Sequence, residues 1–331
     1  MNKNLNKKIN IAFIGAGYIS TLMAETLFKI KKDINLYSIA SRDINKAKEF
    51  SDKYGFDNYY ASYEDMLKDD NIDLVYIATP HSHHYEHIKL CLDYNKNVLC
   101  EKSFTVNSKQ ANEVLKIAKK KKLLLAEAIW TRYMPSRYMI NDIIASGEIG
   151  NVTSLSANLG YVIADVDRIK FPELAGGALL DIGVYTINFA LMVFGENIKS
   201  IDSTCVKMST GVDSQNSITI TFDDDKIAVL YSTVLAITDR QAVINGDKGY
   251  MIIENINNPQ SITTYSLDRK KINTYKVPKQ ITGYEYQVLS CVDAIRNNKL
   301  ECSEMSHKDI IKVMNIMDSF RKKWKIKYPF E

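Results

Sequence analysis

The sequence has little of what would mark it as anything but an ordinary globular chain. Its five cysteines, Cys91, Cys100, Cys205, Cys291 and Cys302, are odd in number, scattered and without a CxxC pair. That pattern argues against a disulfide framework or a structural zinc site, and for buried thiols in a reducing cytoplasm. Glycine and proline are few (14 and 6), and neither an internal repeat nor a low-complexity segment is present. The net charge of +4 is small for 331 residues. Neither nucleic acid nor a membrane surface is the expected partner, although a mildly basic site for a phosphorylated ligand is compatible with it. The densest basic run, Lys119 to Lys122, reads as a solvated helix C-terminus. No apolar stretch is read as approaching a membrane span. Met1 to Asn10 is polar and lysine-rich, without a signal core or cleavage site, so the expected location is cytoplasmic.

What is present is an alternation of short apolar runs and amphipathic stretches. It predicts strands at 9–14, 36–41, 73–78, 97–100 and 123–126, with helices at 18–30, 43–54, 83–94 and 107–121. Such an order implies right-handed crossovers, a parallel sheet, and ligands at the carboxyl ends of its strands. After 126 the texture changes. A helix at 133–146, a strand at 152–161 and an apolar helix at 177–194 precede several short strands between 198 and 276. Close connections favour a largely antiparallel sheet there, and helices at 284–297 and 306–322 close the chain. The expectation is therefore two domains. An α/β domain with a parallel sheet is expected over 1–126, and an α+β domain with a largely antiparallel sheet over 127–331.

The segment Gly15-Ala16-Gly17-Tyr18-Ile19-Ser20 lies between the first strand and the first helix. Glycines there permit a tight turn, and helix N–H groups can meet a pyrophosphate. Serine stands where a third glycine is usual, so strand-turn-helix context carries the assignment. The second strand selects the nucleotide. Ser41 and Arg42 precede Asp43, and a guanidinium suits a 2′-phosphate, with Lys46 one turn on as a further phosphate contact. That favours NADP. Asp43 leaves NAD open, because it serves either as a ribose ligand or as the N-cap of the next helix.

Two further segments carry chemistry. Asp181 and Tyr185 are four apart in Gly176-Gly177-Ala178-Leu179-Leu180-Asp181-Ile182-Gly183-Val184-Tyr185, a spacing that shares one helix face. Glu101-Lys102 ends a buried strand. Oxidising an alcohol removes a hydride and a proton, so a base must stand near the hydroxyl. A cation at about 4 Å, at an effective dielectric near 20, favours a phenolate by up to ~4 kcal/mol. Tyr185 assisted by Lys102 is thus one candidate base, and Lys102 itself is the other. Asp181 would accept a hydrogen bond from a substrate hydroxyl. Four of the five histidines fall within His81, His83, His84 and His87. No acidic or cysteine partner has metal-ligand spacing, so no metal is expected. Trp130 and Arg132 follow the fifth strand, where such a sheet faces its ligand. Trp130 is read as a wall for a sugar ring or cyclic diol, and Arg132 and Arg168 as partners of polyol oxygens or cofactor phosphate. Domain-interface packing is the alternative for all three.

Taken together, the Gly-x-Gly turn, Thr79-Pro80-His81 with His84, Glu101-Lys102 and the Gly-Gly-x-Leu-x-Asp-Ile-Gly segment resemble the Gfo/Idh/MocA oxidoreductases over essentially the whole chain. The resemblance is nearest to the dimeric dihydrodiol dehydrogenases and NADP-dependent D-xylose dehydrogenases, through Glu127-Ala128-Ile129-Trp130-Thr131-Arg132-Tyr133 and the Pro172 to Tyr185 stretch. It implies a dinucleotide-binding Rossmann domain over 1–126, a substrate-binding domain with an open, mostly antiparallel sheet over 127–331, an active site between them, and an oligomer, dimer or tetramer, formed through the C-terminal sheet. It also implies a tyrosine at 185 where many members have histidine. Thr79, Pro80, His81, His84 and Glu101 would then sit beside the cofactor, with His81 by the nicotinamide ribose and His83 and His87 at the surface. Ser103 departs from the family's proline after Glu-Lys. The implied reaction is oxidation of a secondary hydroxyl of a sugar, cyclic polyol or trans-dihydrodiol. An NAD-linked inositol or sugar-phosphate dehydrogenase and a non-catalytic nucleotide-sensing regulator are the rivals.

Overall fold

The structure, a computed structural model, describes residues 7–331, so most of the polar lead at 1–10 lies outside the described residues. It divides into two compact units. One runs to Trp130 and takes in Gln280–Met314, and the other comprises Thr131–Lys279 and Asn315–Glu331. The chain thus returns to its first unit near the end.

The first unit holds β1 (Ile9–Ile14), α1 (Tyr18–Leu27), β2 (Ile34–Ala40), α2 (Ile44–Tyr54), β3 (Asn58–Tyr60), α3 (Tyr63–Leu67), β4 (Leu74–Ile77), α4 (His81–Asp93), β5 (Asn97–Glu101), α5 (Ser108–Lys121) and β6 (Leu125–Ala128). The six strands are parallel in the order β3-β2-β1-β4-β5-β6, the doubly wound arrangement of a dinucleotide-binding fold. The near-continuous apolar runs of β1, β4 and β5 are buried on both faces, as a parallel sheet requires. The sequence reading omits β3 and α3, which at three and five residues are too short to show a period. Side-chain caps start three of these helices. Asp43 caps α2, Ser62 caps α3 and Asn107 caps α5. The α4 helix begins at His81 rather than 83, with Pro80 at its N-cap.

In the second unit α6 (Pro135–Ala145), β7 (Val152–Gly160) and α7 (Asp167–Lys170) lead to a π-helical segment, Leu179–Gly183, that continues as α8 (Val184–Phe194). Seven strands follow: β8 (Ile198–Lys207), β9 (Asp213–Phe222), β10 (Ile227–Thr233), β11 (Ala242–Gly246), β12 (Gly249–Ile253), β13 (Ser261–Ser266) and β14 (Lys271–Lys276). With β7 they form one sheet in the order β14-β13-β12-β11-β7-β10-β9-β8. All pairs are antiparallel except β7 with β10. The fold class is that expected, an α/β Rossmann unit and an α+β unit with an open, mostly antiparallel sheet. Helix α9 (Glu285–Arg296) belongs to the first unit, and α10 (His307–Trp324) begins in the first and ends in the second.

Two details correct the sequence reading. The helix expected from 177 starts after the glycine pair and opens with a π turn. And among the described residues one run, Pro172–Phe194, is by length and composition apolar enough to cross a membrane, with mean hydropathy 1.7 over its most apolar 18 residues. It is 83% buried within the protein, which marks it as a core helix of the second unit.

Candidate active site

At the nucleotide end, Gly15 follows β1 with φ +99°, and a Cβ there would lie 3.1 Å from the Ala78 carbonyl oxygen. Only glycine lets the turn pass this close to the end of β4. The Gly15 N–H donates to Ala40 O at 3.0 Å, tying the turn to β2 as well. Gly17 is the N-cap of α1 and makes no side-chain cap, and the space beside its Cα is open. Ala16 and Gly17 are half-buried, Tyr18 is exposed and Ile19 is half-buried. An open helix start with no capping side chain is what a pyrophosphate needs. Ser20 is fully buried and its hydroxyl donates to Gly15 O at 2.8 Å. The residue that makes the glycine motif incomplete is thus a brace for the same turn.

At the end of β2, Asp43 Oδ1 accepts the N–H groups of Asn45 (2.9 Å) and Lys46 (3.3 Å). Its carboxylate is engaged as the cap of α2, while Arg42 and Lys46 are exposed and Ser41 Oγ accepts the Asp43 N–H. Arg42 and Lys46 thus present positive charge after β2, beside an Asp43 whose Oδ1 is taken up by the cap.

Beyond β4, the Thr79 hydroxyl meets His87 Nδ1 at 3.0 Å. The His84 ring lies 2.8 Å from both the Ser103 and the Thr79 carbonyl oxygens. A neutral ring carries one N–H, so it donates to one of the two. Burial pushes His84 down to about 4, against the raising effect of those carbonyls. His81 is buried, its ring 5.7 Å from that of His84. His83 and His87, expected at the surface, are half-buried. Burial, and then the neighbouring His83, push His87 down to about 4, and its ring packs edge-on against Tyr63. Among the described residues no group of three or more His, Cys, Asp or Glu is placed to hold a metal.

The segment carrying Lys102 is anchored on every side. Glu101 Oε1 accepts from the Tyr76 hydroxyl at 2.6 Å, and Glu101 Oε2 accepts the Lys102 N–H at 3.2 Å. Burial, and then the Glu101 charge, drive Tyr76 well above the ordinary tyrosine range, so it stays a donor. The Lys102–Ser103 peptide is cis. The Phe104 N–H donates to Glu127 Oε1 at 3.0 Å, with Glu127 itself buried. Glu101, read from the sequence as a cofactor contact, also holds the backbone of the lysine. Tyr76 is a support that no motif announced, and Glu127, first residue of the Glu127–Tyr133 segment, supports the backbone in a way that the segment did not specify. Trp130 is only 5% exposed and stacks on Tyr284 with centroids 4.4 Å apart. Within the first unit it is therefore a packed side chain.

The second unit carries Asp181 in the π segment and Tyr185 in the first turn of α8, both buried. Arg168 on α7, half-exposed, donates through Nη1 to Asp181 Oδ1. Arg132 is buried and donates from Nε to Asn188 Oδ1 at 2.6 Å, three residues beyond Tyr185 on the same helix. Of the three substrate candidates, Arg168 thus touches the acid directly and Arg132 touches the helix that bears the phenol. Before that helix stands Asp213, at the start of β9. Its Oδ2 accepts the Leu179 N–H at 2.8 Å and Asn216 Nδ2 at 2.9 Å. Burial pushes Asp213 up to about 6, less than it would without those two bonds. The sequence offers no periodic or motif signal for it.

Comparison with known proteins agrees with this anatomy. A family described as "Oxidoreductase family, NAD-binding Rossmann fold" (Gfo/Idh/MocA) matches residues 9–128, and the "GFO/IDH/MocA C-terminal domain" matches 139–252. The chain is 34% identical to a trans-1,2-dihydrobenzene-1,2-diol dehydrogenase of Xenopus tropicalis, covering 90% of this chain and 92% of the relative. It is 32% identical to a D-xylose 1-dehydrogenase (NADP(+)) of Hypocrea jecorina, covering 89% and 84%. Among solved structures, a 3-ketoreductase of Actinomadura kijaniata in complex with NADP and TDP-benzene superposes with TM-score 0.88 over 96% of this chain and 98% of that one. At 22% identity that likeness concerns the fold.

Proposed function

The chain belongs to the Gfo/Idh/MocA oxidoreductase family, and from that premise we propose that it is an NADP-dependent dehydrogenase of a secondary hydroxyl on a sugar, cyclic polyol or trans-dihydrodiol. The observation that carries the reading is the buried pair on one helical run, Asp181 held by Arg168 and Tyr185 one turn later. The cofactor, when bound, supplies a nicotinamide ring that accepts or returns a hydride. The chain's own residues do the rest. Gly15, Ala16, Gly17, Tyr18 and Ile19 form the turn that receives the pyrophosphate, and the open start of α1 fits that role. Thr79, Pro80, His81, His84 and Glu101 complete the cofactor side. Arg42, with Ser41 and Lys46, selects the 2′-phosphate, because Asp43 is committed to capping α2.

In the oxidative direction Tyr185 takes the proton from the substrate hydroxyl and Lys102 favours its phenolate; Lys102 is the base if the tyrosine only donates a hydrogen bond. Asp181 accepts from a neighbouring substrate hydroxyl and fixes the ring's orientation. The proposal extends to a cytoplasmic homodimer or homotetramer joined through the eight-stranded sheet. Ile227, Val229 and Tyr231 alternate along β10 on its exposed face, which supports that assembly.

The test is a screen of aldoses, inositols and trans-diols with NADP and with NAD, followed by absorbance of the reduced nicotinamide. Turnover with NADP preferred is expected, and Tyr185→Phe should lower kcat by about 10²–10⁴-fold while cofactor binding persists. A preference for NAD would overturn the role given to Arg42 and favour the NAD-linked inositol or sugar-phosphate rival. Cofactor binding without turnover on any substrate would favour the nucleotide-sensing regulator.

A further inference from the structure

We infer that Asp213 is the positioning residue of the acid–phenol helix, a buried side-chain cap supplied by β9 that sets where Asp181 and Tyr185 stand. The inference rests on the reading that those two residues perform the chemistry. The run that bears them has no cap of its own, since Ala178 precedes the π segment and offers no side-chain acceptor. Helix starts leave backbone N–H groups without intrahelical partners, and burying one unmet is costly. Asp213 Oδ2 meets the N–H of Leu179, two residues before Asp181 and six before Tyr185. The same oxygen accepts from Asn216, so its direction is fixed by its own strand. A carboxylate at this end of a helix is also favoured by the helix dipole.

The glycine before the helix is explained by the same contact. Gly177 has φ +111°, and a Cβ there would overlap Asp213 Oδ1. Its neighbour is held from the other side, because the Tyr328 hydroxyl donates to Gly176 O at 2.9 Å. The turn into the helix is thus clamped between β9 and the C-terminal segment, all within the second unit. Asp213 lies 32 residues beyond Asp181, so no local sequence pattern connects them.

Asp213→Ala and Asp213→Asn in the full chain test this by two readouts, amide hydrogen exchange over 178–186 and steady-state kinetics. Asn keeps an oxygen acceptor for Leu179, whereas Ala removes it. In Asp213→Ala, exchange over 178–186 should rise about tenfold with the β10 amides unchanged, and Asp213→Asn should recover most of the protection. With a substrate in hand, kcat should fall about tenfold in the Ala variant while NADP affinity stays constant, again with recovery by Asn. Unchanged exchange over 178–186, or an equal rise throughout the sheet, overturns the inference. If the wild type turns over no sugar, polyol or diol, the dehydrogenase reading fails by itself, and the exchange result still decides Asp213.

Discussion

Arg168 donates from its guanidinium to the buried carboxylate of Asp181, so the acid of the proposed site has a charged partner already in place. Arg168 comes from α7 and Asp181 from the π segment, and the intervening chain doubles back through a 3-10 turn at Pro172–Leu174 to bring them together. The same contact fixes the direction of the Asp181 carboxylate, which in the proposed site would accept from a substrate hydroxyl.

Arg168→Met should therefore lower kcat/KM by about tenfold, equivalent to ~1.4 kcal/mol of lost transition-state stabilisation. The cost in stability should be about 2 kcal/mol, because the substitution removes a partner from a buried carboxylate while the half-exposed arginine is partly screened by water. Arg168→Lys should recover part of the activity. Steady-state kinetics beside thermal melts separate the two effects, and full activity in the Met variant would deny the arginine any part in orienting Asp181.

Gly177→Ala should destabilise the second unit by about 2 kcal/mol, through its left-handed backbone and the crowding of Asp213. Gly55→Ala makes a control. Its φ is +74°, yet a Cβ there meets no neighbour within 4 Å, so the backbone penalty alone applies and about 1 kcal/mol is expected. Denaturant titrations of both variants measure the difference. Equal losses would mean that contact with Asp213 adds nothing.

His84 should make stability fall in acid. Its native pKa is pushed down to about 4, whereas an unfolded histidine titrates near 6.5. Between those values the unfolded chain binds the extra proton, so the histidine's contribution is complete above pH 6.5 and is lost as pH falls toward 4. The full span is on the order of 3 kcal/mol. Comparing unfolding of the wild type and His84→Gln at pH 7.5, 5.5 and 4.5 isolates this residue. Parallel curves for the two proteins would mean that the buried ring carries its proton in the native state.

Much of this was legible in advance for one reason: hydrophobic period and turn chemistry are local. The strands and longer helices of the first unit fall within a few residues of their expected places, and Asp43 caps α2 as one of its two possible readings allowed. The failures have local causes too. The three residues of β3 are too few to show a period, and a π turn with its glycine start looks in sequence like more α-helix. The half-burial of His87 comes from Tyr63 on α3, an element too short to show a period.

By itself the sequence determined the order of strands and helices, the glycine turn after β1, and the residue types available for proton and hydride chemistry. Those are properties of neighbours in the chain. Only the tertiary structure decided that Ser20 braces the glycine turn, that Glu101 shares itself between Tyr76 and the Lys102 backbone, and that Asp213 caps the helix of Asp181. A buried polar group must find its partner wherever the fold brings one. For Asp213 and Leu179 that partner is 34 residues away, a distance over which no periodicity reports.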